Sequence, residues 1–93
     1  MKIQSFLCAD TEALYEDRKL KRFRNIETVA QRKLQMLEDA VELRDLASPP
    51  GNRLEALKDD RKGQHSIRIN DQWRMCFVWT ATGPKNIEIV DYH

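Results

Sequence analysis

The sequence predicts an α+β domain: a twisted, mainly antiparallel sheet with two N-terminal helices on one face and the other face open. Three observations lead there. Apolar residues recur with a helical period before residue 48 and with a period of two after Gly51. Between the two halves, "ASPPGN" can neither continue a helix nor join a strand ladder. Beyond it, four strand candidates are joined by links too short for crossovers, so neighbours run antiparallel. The 93 residues make one domain (1–93), with enough core to fold but little room for a deep enclosed pocket, so function belongs on an open surface.

Taken in order, "IQSFLC" reads as an opening strand, with Ile3, Ser5 and Leu7 alternating with Gln4, Phe6 and Cys8. Thr11 offers an N-cap, and Ala13, Leu14 and Tyr15 suit a short helix. The main helix is "ETVAQRKLQMLEDAVELRDL", which sets Val29, Lys33, Met36, Leu37, Ala40, Val41 and Leu43 at mostly helical spacing. "RLEALK", "HSIRIN", "WRMCFVWT" and "NIEIVDY" are the four later strands, separated by "DDRKG", "DQ" and "ATGPK". Alternation points Ile67 and Ile69 one way and Arg68 the other. It also groups Met75, Phe77 and Trp79 on one face and sets Arg74 on the opposite one.

Composition excludes several classes. With 41% hydrophobic and 33% charged residues, the chain is neither a disordered tail nor a membrane protein, since no apolar run approaches about 18 residues. No h-region follows Met1, so a cytoplasmic location is expected. Cys8 and Cys76 fall in strand candidates without a CxxC or a Cys/His cluster, which reads as two buried thiols, with no metal site, no disulfide and no cofactor. Net charge is +1 but unevenly spread. Residues 18–33 hold Arg18, Lys19, Lys21, Arg22, Arg24, Arg32 and Lys33 against Glu27, whereas residues 38–45 hold Glu38, Asp39, Glu42 and Asp45 against Arg44. Such a basic run is either a solvated helix face or a phosphate-contacting surface.

The chain ends on Asp91, Tyr92 and His93, directly after the apolar Ile87, Ile89 and Val90. If the "ATGPK" turn centres on Thr82 and Gly83, Arg74 falls opposite a residue near Asp91. Lys58, Arg61 and Lys62 sit at the mouth of the preceding hairpin. An imidazole titrating near neutrality, a phenol, a carboxylate and fixed cations make an acid–base set without a nucleophile of its own. Ser66 has no paired base in its sequence context, and neither cysteine has a neighbouring imidazolium. A substrate that brings its own nucleophile would suit the set, and RNA does so through its 2′-OH. On pattern alone, Arg74 is equally readable as an arginine that snorkels or pairs with a carboxylate.

The frame "RLEALKDDRKGQHSIRINDQWRMCFVWTATG", closed by "IVDYH", resembles the HigB-type toxins (plasmid maintenance killer proteins) of type II toxin–antitoxin systems, part of the RelE/ParE superfamily. The likeness starts at "IQSF", is strongest over residues 54–77 and ends on the terminal "DYH". It implies a RelE/ParE-like, microbial-ribonuclease-like fold. It also implies an endoribonuclease that enters the A site of the bacterial ribosome, cuts mRNA there and is neutralised by a HigA-type helix-turn-helix antitoxin. Operator DNA would be bound only through the antitoxin complex. Carried over position by position, the resemblance makes Lys58, Arg74, Asp91, Tyr92 and His93 catalytic. Arg74 would hold the scissile phosphate and Lys58 the developing charge. His93 would transfer protons, Asp91 would orient it, and Tyr92 would stack on a base or donate a hydrogen bond. Arg18, Lys19, Lys21, Arg22, Arg24, Arg61 and Lys62 then become RNA-binding candidates.

Two departures from the family pattern matter. "LEALKD" stands where many HigB-type sequences read "LHPLKG", which puts Glu55 at the position of a family His. Glu55 either replaces that group as a base or only orients substrate. "GQHSI" places His65 where the family has an aromatic residue, and alternation sends it with Ile67 to the core or its rim. The competing readings are a ParE-like toxin that inhibits DNA gyrase without cutting, and a weakened toxin acting mainly as antitoxin partner.

Overall fold

The computed structural model describes residues 2–91. Helix α1 (Ala9–Tyr15) and helix α2 (Glu27–Asp39) precede a four-stranded antiparallel sheet of β1 (Glu55–Ala56), β2 (His65–Arg68), β3 (Trp73–Thr80) and β4 (Gly83–Asp91), in that spatial order. The predicted α+β arrangement is what forms. Leu14 of α1 and Ala30, Leu34 and Leu37 of α2 pack with Phe23, Ile67, Met75, Phe77, Ile87 and Ile89 into one buried cluster. The helices therefore cover the sheet face that carries Met75 and Phe77.

Four local readings are corrected. Among the described residues the opening segment makes one isolated bridge, Phe6 with Ile87, and that bridge is parallel. Gln4 N–H donates to the Pro84 carbonyl (2.7 Å) and Ile87 N–H to the Ser5 carbonyl (3.2 Å). Between these bonds the Ser5 hydroxyl accepts the Asn86 N–H (2.9 Å), so a side chain replaces the ladder and no regular strand develops. Thr11 is no cap either: α1 begins after Cys8, and the buried Thr11 hydroxyl accepts the N–H of Ile89 (3.1 Å). Helix α1 and the opening segment thus cover the outer edge of β4.

Helix α2 ends at Asp39, seven residues before Leu46. The Asp45 carboxylate accepts the N–H groups of Val41 and Glu42 (3.0 Å each), which halts the helix and starts a 3₁₀ turn over Leu43–Ala47. Val41, read as part of the apolar stripe, is consequently exposed, and the stripe that is buried is Ala30, Lys33, Leu34 and Leu37. The "RLEALK" candidate contracts to two paired residues, Glu55 with Ser66 and Ala56 with His65.

The β3–β4 register sets Arg74 opposite a residue adjacent to Asp91, as expected. Thr80 pairs with Gly83 across a two-residue turn, but Asn86 adopts a left-handed conformation (φ 55°) and the pairing slips by one between Val78 and Cys76. Arg74 therefore faces Val90, and Asp91 faces Trp73. A slip of one residue moves a side chain to the other face of a sheet.

Candidate active site

The uncovered sheet face is built by alternation. Cross-strand partners share a face, so the pairs Glu55–Ser66, Ser66–Cys76, Arg68–Arg74, Cys76–Glu88 and Arg74–Val90 put these seven residues on one surface. Arg68 and Arg74 lie directly opposite one another. Two like charges so placed repel, and a carboxylate offsets each of them, Asp71 for Arg68 and Glu55 for Arg74.

Arg74 is anchored rather than snorkelling, with 12% of its side chain exposed. Its Nε–H donates to the Ser66 hydroxyl (2.8 Å) and Nη2 donates to the Arg53 carbonyl (2.8 Å). The Glu55 carboxylate stands 3.5 Å from the same Nη2. Nη1 makes no bond among the described residues, so one nitrogen with two donors remains for an anion. Arg68 pairs with Asp71, whose carboxylate is fully exposed.

Other candidates occupy the rim. Lys58, at the start of the 3₁₀ turn Asp59–Arg61, is exposed and makes no side-chain bond among the described residues. Lys62 is exposed. Arg61 is not free for RNA, since its Nη1 donates to Gln64 (3.1 Å) and pairs with Glu88 (3.1 Å). Cys76 is fully buried, and that burial pushes its thiol up from the ordinary value, with smaller opposing effects from the flanking charges. Cys8 departs from the buried-thiol expectation. It is partly exposed ahead of α1; burial would raise its pKa, but bonds from Thr11, the Asp10 N–H and Arg22 bring it below the ordinary value.

Of the terminal triad, Asp91 alone lies within the described residues. It accepts from the Gln72 side-chain amide (3.0 Å) and shares the face of Trp73. The structure therefore does not bring it beside Arg74 on the open face. Tyr92 and His93 lie outside the described residues. His65 follows its expected course: it stacks on Phe77 (6.3 Å between centroids) toward the core.

The basic stretch divides. Arg18 pairs with Glu16 (3.1 Å), Lys19 with Glu27 (2.7 Å) and Arg22 with Asp10 (3.2 Å). Arg22 also lies over Phe23 and Trp73, 4.9 and 5.7 Å from their ring centroids. Lys19, Leu20, Lys21, Arg24 and Glu27 line a shallow groove of about 240 Å³. Lys33 belongs to the interior: its ammonium donates to Asn52, and burial, then the charges of Arg32 and Arg68, hold its pKa below the ordinary value.

Sequence reasoning missed Ser66 as a ligand of Arg74 and Arg68 as its cross-strand partner. The signal lies in "SIRINDQWR": folding this segment about its short link sets Arg68 against Arg74 and Ser66 diagonal to it.

Comparison with known proteins agrees with this architecture. Residues 5–93 match the model of a family described as the RelE-like toxin of the type II toxin–antitoxin system HigB. The chain is 46% identical over 70 residues to Toxin HigB-1 of Vibrio cholerae serotype O1, covering 73% of this chain and 74% of that one. It is also 35% identical over 63 residues to an uncharacterized protein of Haemophilus influenzae, covering 68% of this chain and 62% of that protein. Among solved structures, the fold is similar to a chain of the YoeB–YefM complex from Staphylococcus aureus (TM-score 0.57, 18% identity, 100% and 99% of the two chains covered). It is likewise similar to a YoeB/ParE toxin from Agrobacterium tumefaciens (TM-score 0.54, 21% identity, 100% and 99% covered). The chain therefore belongs to the HigB-like family of RelE-like toxins of type II toxin–antitoxin systems.

Proposed function

We propose that this toxin is a ribosome-dependent mRNA endoribonuclease that stops translation in the cytoplasm and is held inactive by a HigA-type helix-turn-helix antitoxin. The observation that carries the reading is the anchored Arg74 on an open face, with a donor-bearing nitrogen left over and a second guanidinium, Arg68, directly across from it. Such a surface suits a phosphate of an extended RNA strand better than an enclosed small molecule.

In this mechanism the substrate's 2′-OH attacks the adjacent phosphorus as a base removes its proton. The bond to the 5′-oxygen breaks as an acid protonates that oxygen, leaving a cyclic phosphate and a free 5′-OH. Arg74 holds the phosphate and Lys58 stabilises the charge that develops on it. His93 moves the protons, with Asp91 and Tyr92 assisting, and Glu55 beside Arg74 is the second candidate base. The exposed Lys21 and Arg24, with Arg18, Lys19 and Arg22 of the same stretch, form the surface for ribosomal RNA, and the exposed Lys62 is a separate RNA contact beside the turn Asp59–Arg61. The ribosome supplies the positioning that an open face lacks, an effect worth roughly 7–11 kcal/mol in the best oriented systems.

Pulse labelling after induction without antitoxin tests this. Incorporation of amino acids should stop first, and ribosome-bound mRNA should be cut while naked transcript stays largely intact. Continued protein synthesis with loss of DNA supercoiling would instead establish gyrase inhibition.

A further inference from the structure

Ser66 is a small polar residue in the dry centre of the sheet. It is 0% exposed, as are its neighbours Ile67, Met75, Cys76 and Phe77. A buried hydroxyl without a partner costs stability, and a strand interior favours branched or aromatic side chains. Its partner is Arg74, whose Nε–H it accepts at 2.8 Å.

The second contact has its own support. Arg53, whose carbonyl accepts from Nη2, is a non-glycine residue in the left-handed region (φ 46°, ψ 55°) at the end of the 3₁₀ turn Pro50–Asn52. That turn is pinned from below: buried Asn52 accepts from the Lys33 ammonium and donates to the Leu46 carbonyl (3.0 Å). A strained residue persists where its surroundings over-determine it.

We propose that Ser66 is a positioning residue for the reaction: together with the Arg53 carbonyl it clamps the guanidinium of Arg74 at two points and leaves Nη1 as the phosphate ligand. This rests on the reading of Arg74 as a phosphate ligand. A planar guanidinium bound at Nε and Nη2 has its plane fixed, whereas a free arginine would have to lose that freedom when RNA arrives. Lys at the same position cannot use the clamp, because an ammonium has no Nε–H.

Two measurements test the proposal. In nitrogen-resolved NMR, the Arg74 Nε–H signal, assigned by its loss in Arg74→Lys, should exchange slowly with water and become fast in Ser66→Ala. An Nε–H that already exchanges quickly in the unaltered toxin removes the clamp, whatever the activity. On programmed ribosomes, Ser66→Ala should lower the single-turnover cleavage rate about ten- to a hundredfold, the scale of a small misplacement, with little change in ribosome affinity. In the Arg74→Lys background the same substitution should cost almost nothing more, because the residues act as a unit. If the two losses multiply independently, Ser66 does not act through Arg74. Should the unaltered toxin cut no ribosome-bound mRNA, the nuclease reading fails while the NMR result still decides the clamp.

Discussion

The Glu55 carboxylate stands 3.5 Å from Nη2 of Arg74, at a position where the resemblance to HigB-type toxins implies a histidine. The relationship is specific: β1 is only two residues long, and pairing Glu55 with Ser66 is what brings this carboxylate onto the open face. Glu55 is half exposed, so the pair adds little stability, about 1 kcal/mol or less. In the proposed mechanism its value lies in the site, where a carboxylate can accept the proton of an attacking hydroxyl beside a phosphate held by Arg74.

Glu55→Gln is therefore expected to leave the urea midpoint almost unchanged and to lower cleavage on ribosomes roughly a hundredfold, the lower end of a proton-transfer contribution. Glu55→His should restore much of the loss. Full activity in Glu55→Gln would assign the proton chemistry to the terminal residues alone.

Asn52 is expected to behave as a structural keystone. Asn52→Ala strands the buried Lys33 ammonium and the Leu46 carbonyl together, which should cost about 1–3 kcal/mol in equilibrium denaturation. A variant as stable as the parent would show that water replaces the Asn52 side chain without penalty.

Lys33 should also leave a signature in pH. Burial holds its folded pKa below the ordinary 10.5, so in the window between those two values the unfolded chain binds more protons than the folded one. Stability contributed by Lys33 then rises with pH through that window and is flat below it. Measured as parent minus Lys33→Met, the difference should grow on the alkaline side; a flat or falling difference there contradicts the burial argument.

Much of the fold is legible because burial imposes periodicity. Met75 and Phe77 alternate with Arg74 and Cys76, and the face each one takes follows from that spacing alone. What escapes the sequence is chemistry between distant side chains and backbone. Asp45 stops α2 by capturing two backbone N–H groups, and Ser5 occupies the Asn86 N–H that a strand would have used. The turn at Ala81 and Thr82 would by itself set Ile89 against Arg74, and the extra residue at the left-handed Asn86 moves that place to Val90. Lys33 is visible on the apolar stripe of α2, but its partner Asn52 lies in a turn that no periodicity describes. For the site, Arg74 and its face are readable, whereas Ser66 becomes a ligand only once the β2–β3 register is known.

The cysteines give an independent check on the sheet. Cys8 is partly exposed with a lowered pKa, and Cys76 is fully buried with a raised one. Thiolate is the reactive form, so a maleimide at neutral pH should modify Cys8 first and Cys76 only after denaturant is added. Equal rates in the native protein would mean that the Arg61–Glu88 and Arg74–Glu55 pairs do not seal the strand beneath them.

The register sets Asp91 apart from Arg74. Asp91 shares the face of Trp73 and is bonded by Gln72, so its carboxylate is displaced from Arg74 by the pleat of β4. A group so placed orients or tunes a neighbour more readily than it touches a phosphate on the open face. His93→Ala, which deletes the proposed proton-transfer group, should lower cleavage by about 10² to 10⁴ with the melting temperature unchanged. Asp91→Asn keeps the acceptor for Gln72 and should cost clearly less, and its effect should largely vanish in the His93→Ala background, as expected when one residue acts through the other. Single-turnover cleavage of ribosome-bound mRNA by the two single variants and the double variant decides this: an Asp91→Asn loss that equals the His93→Ala loss and persists beside it would make Asp91 a base in its own right.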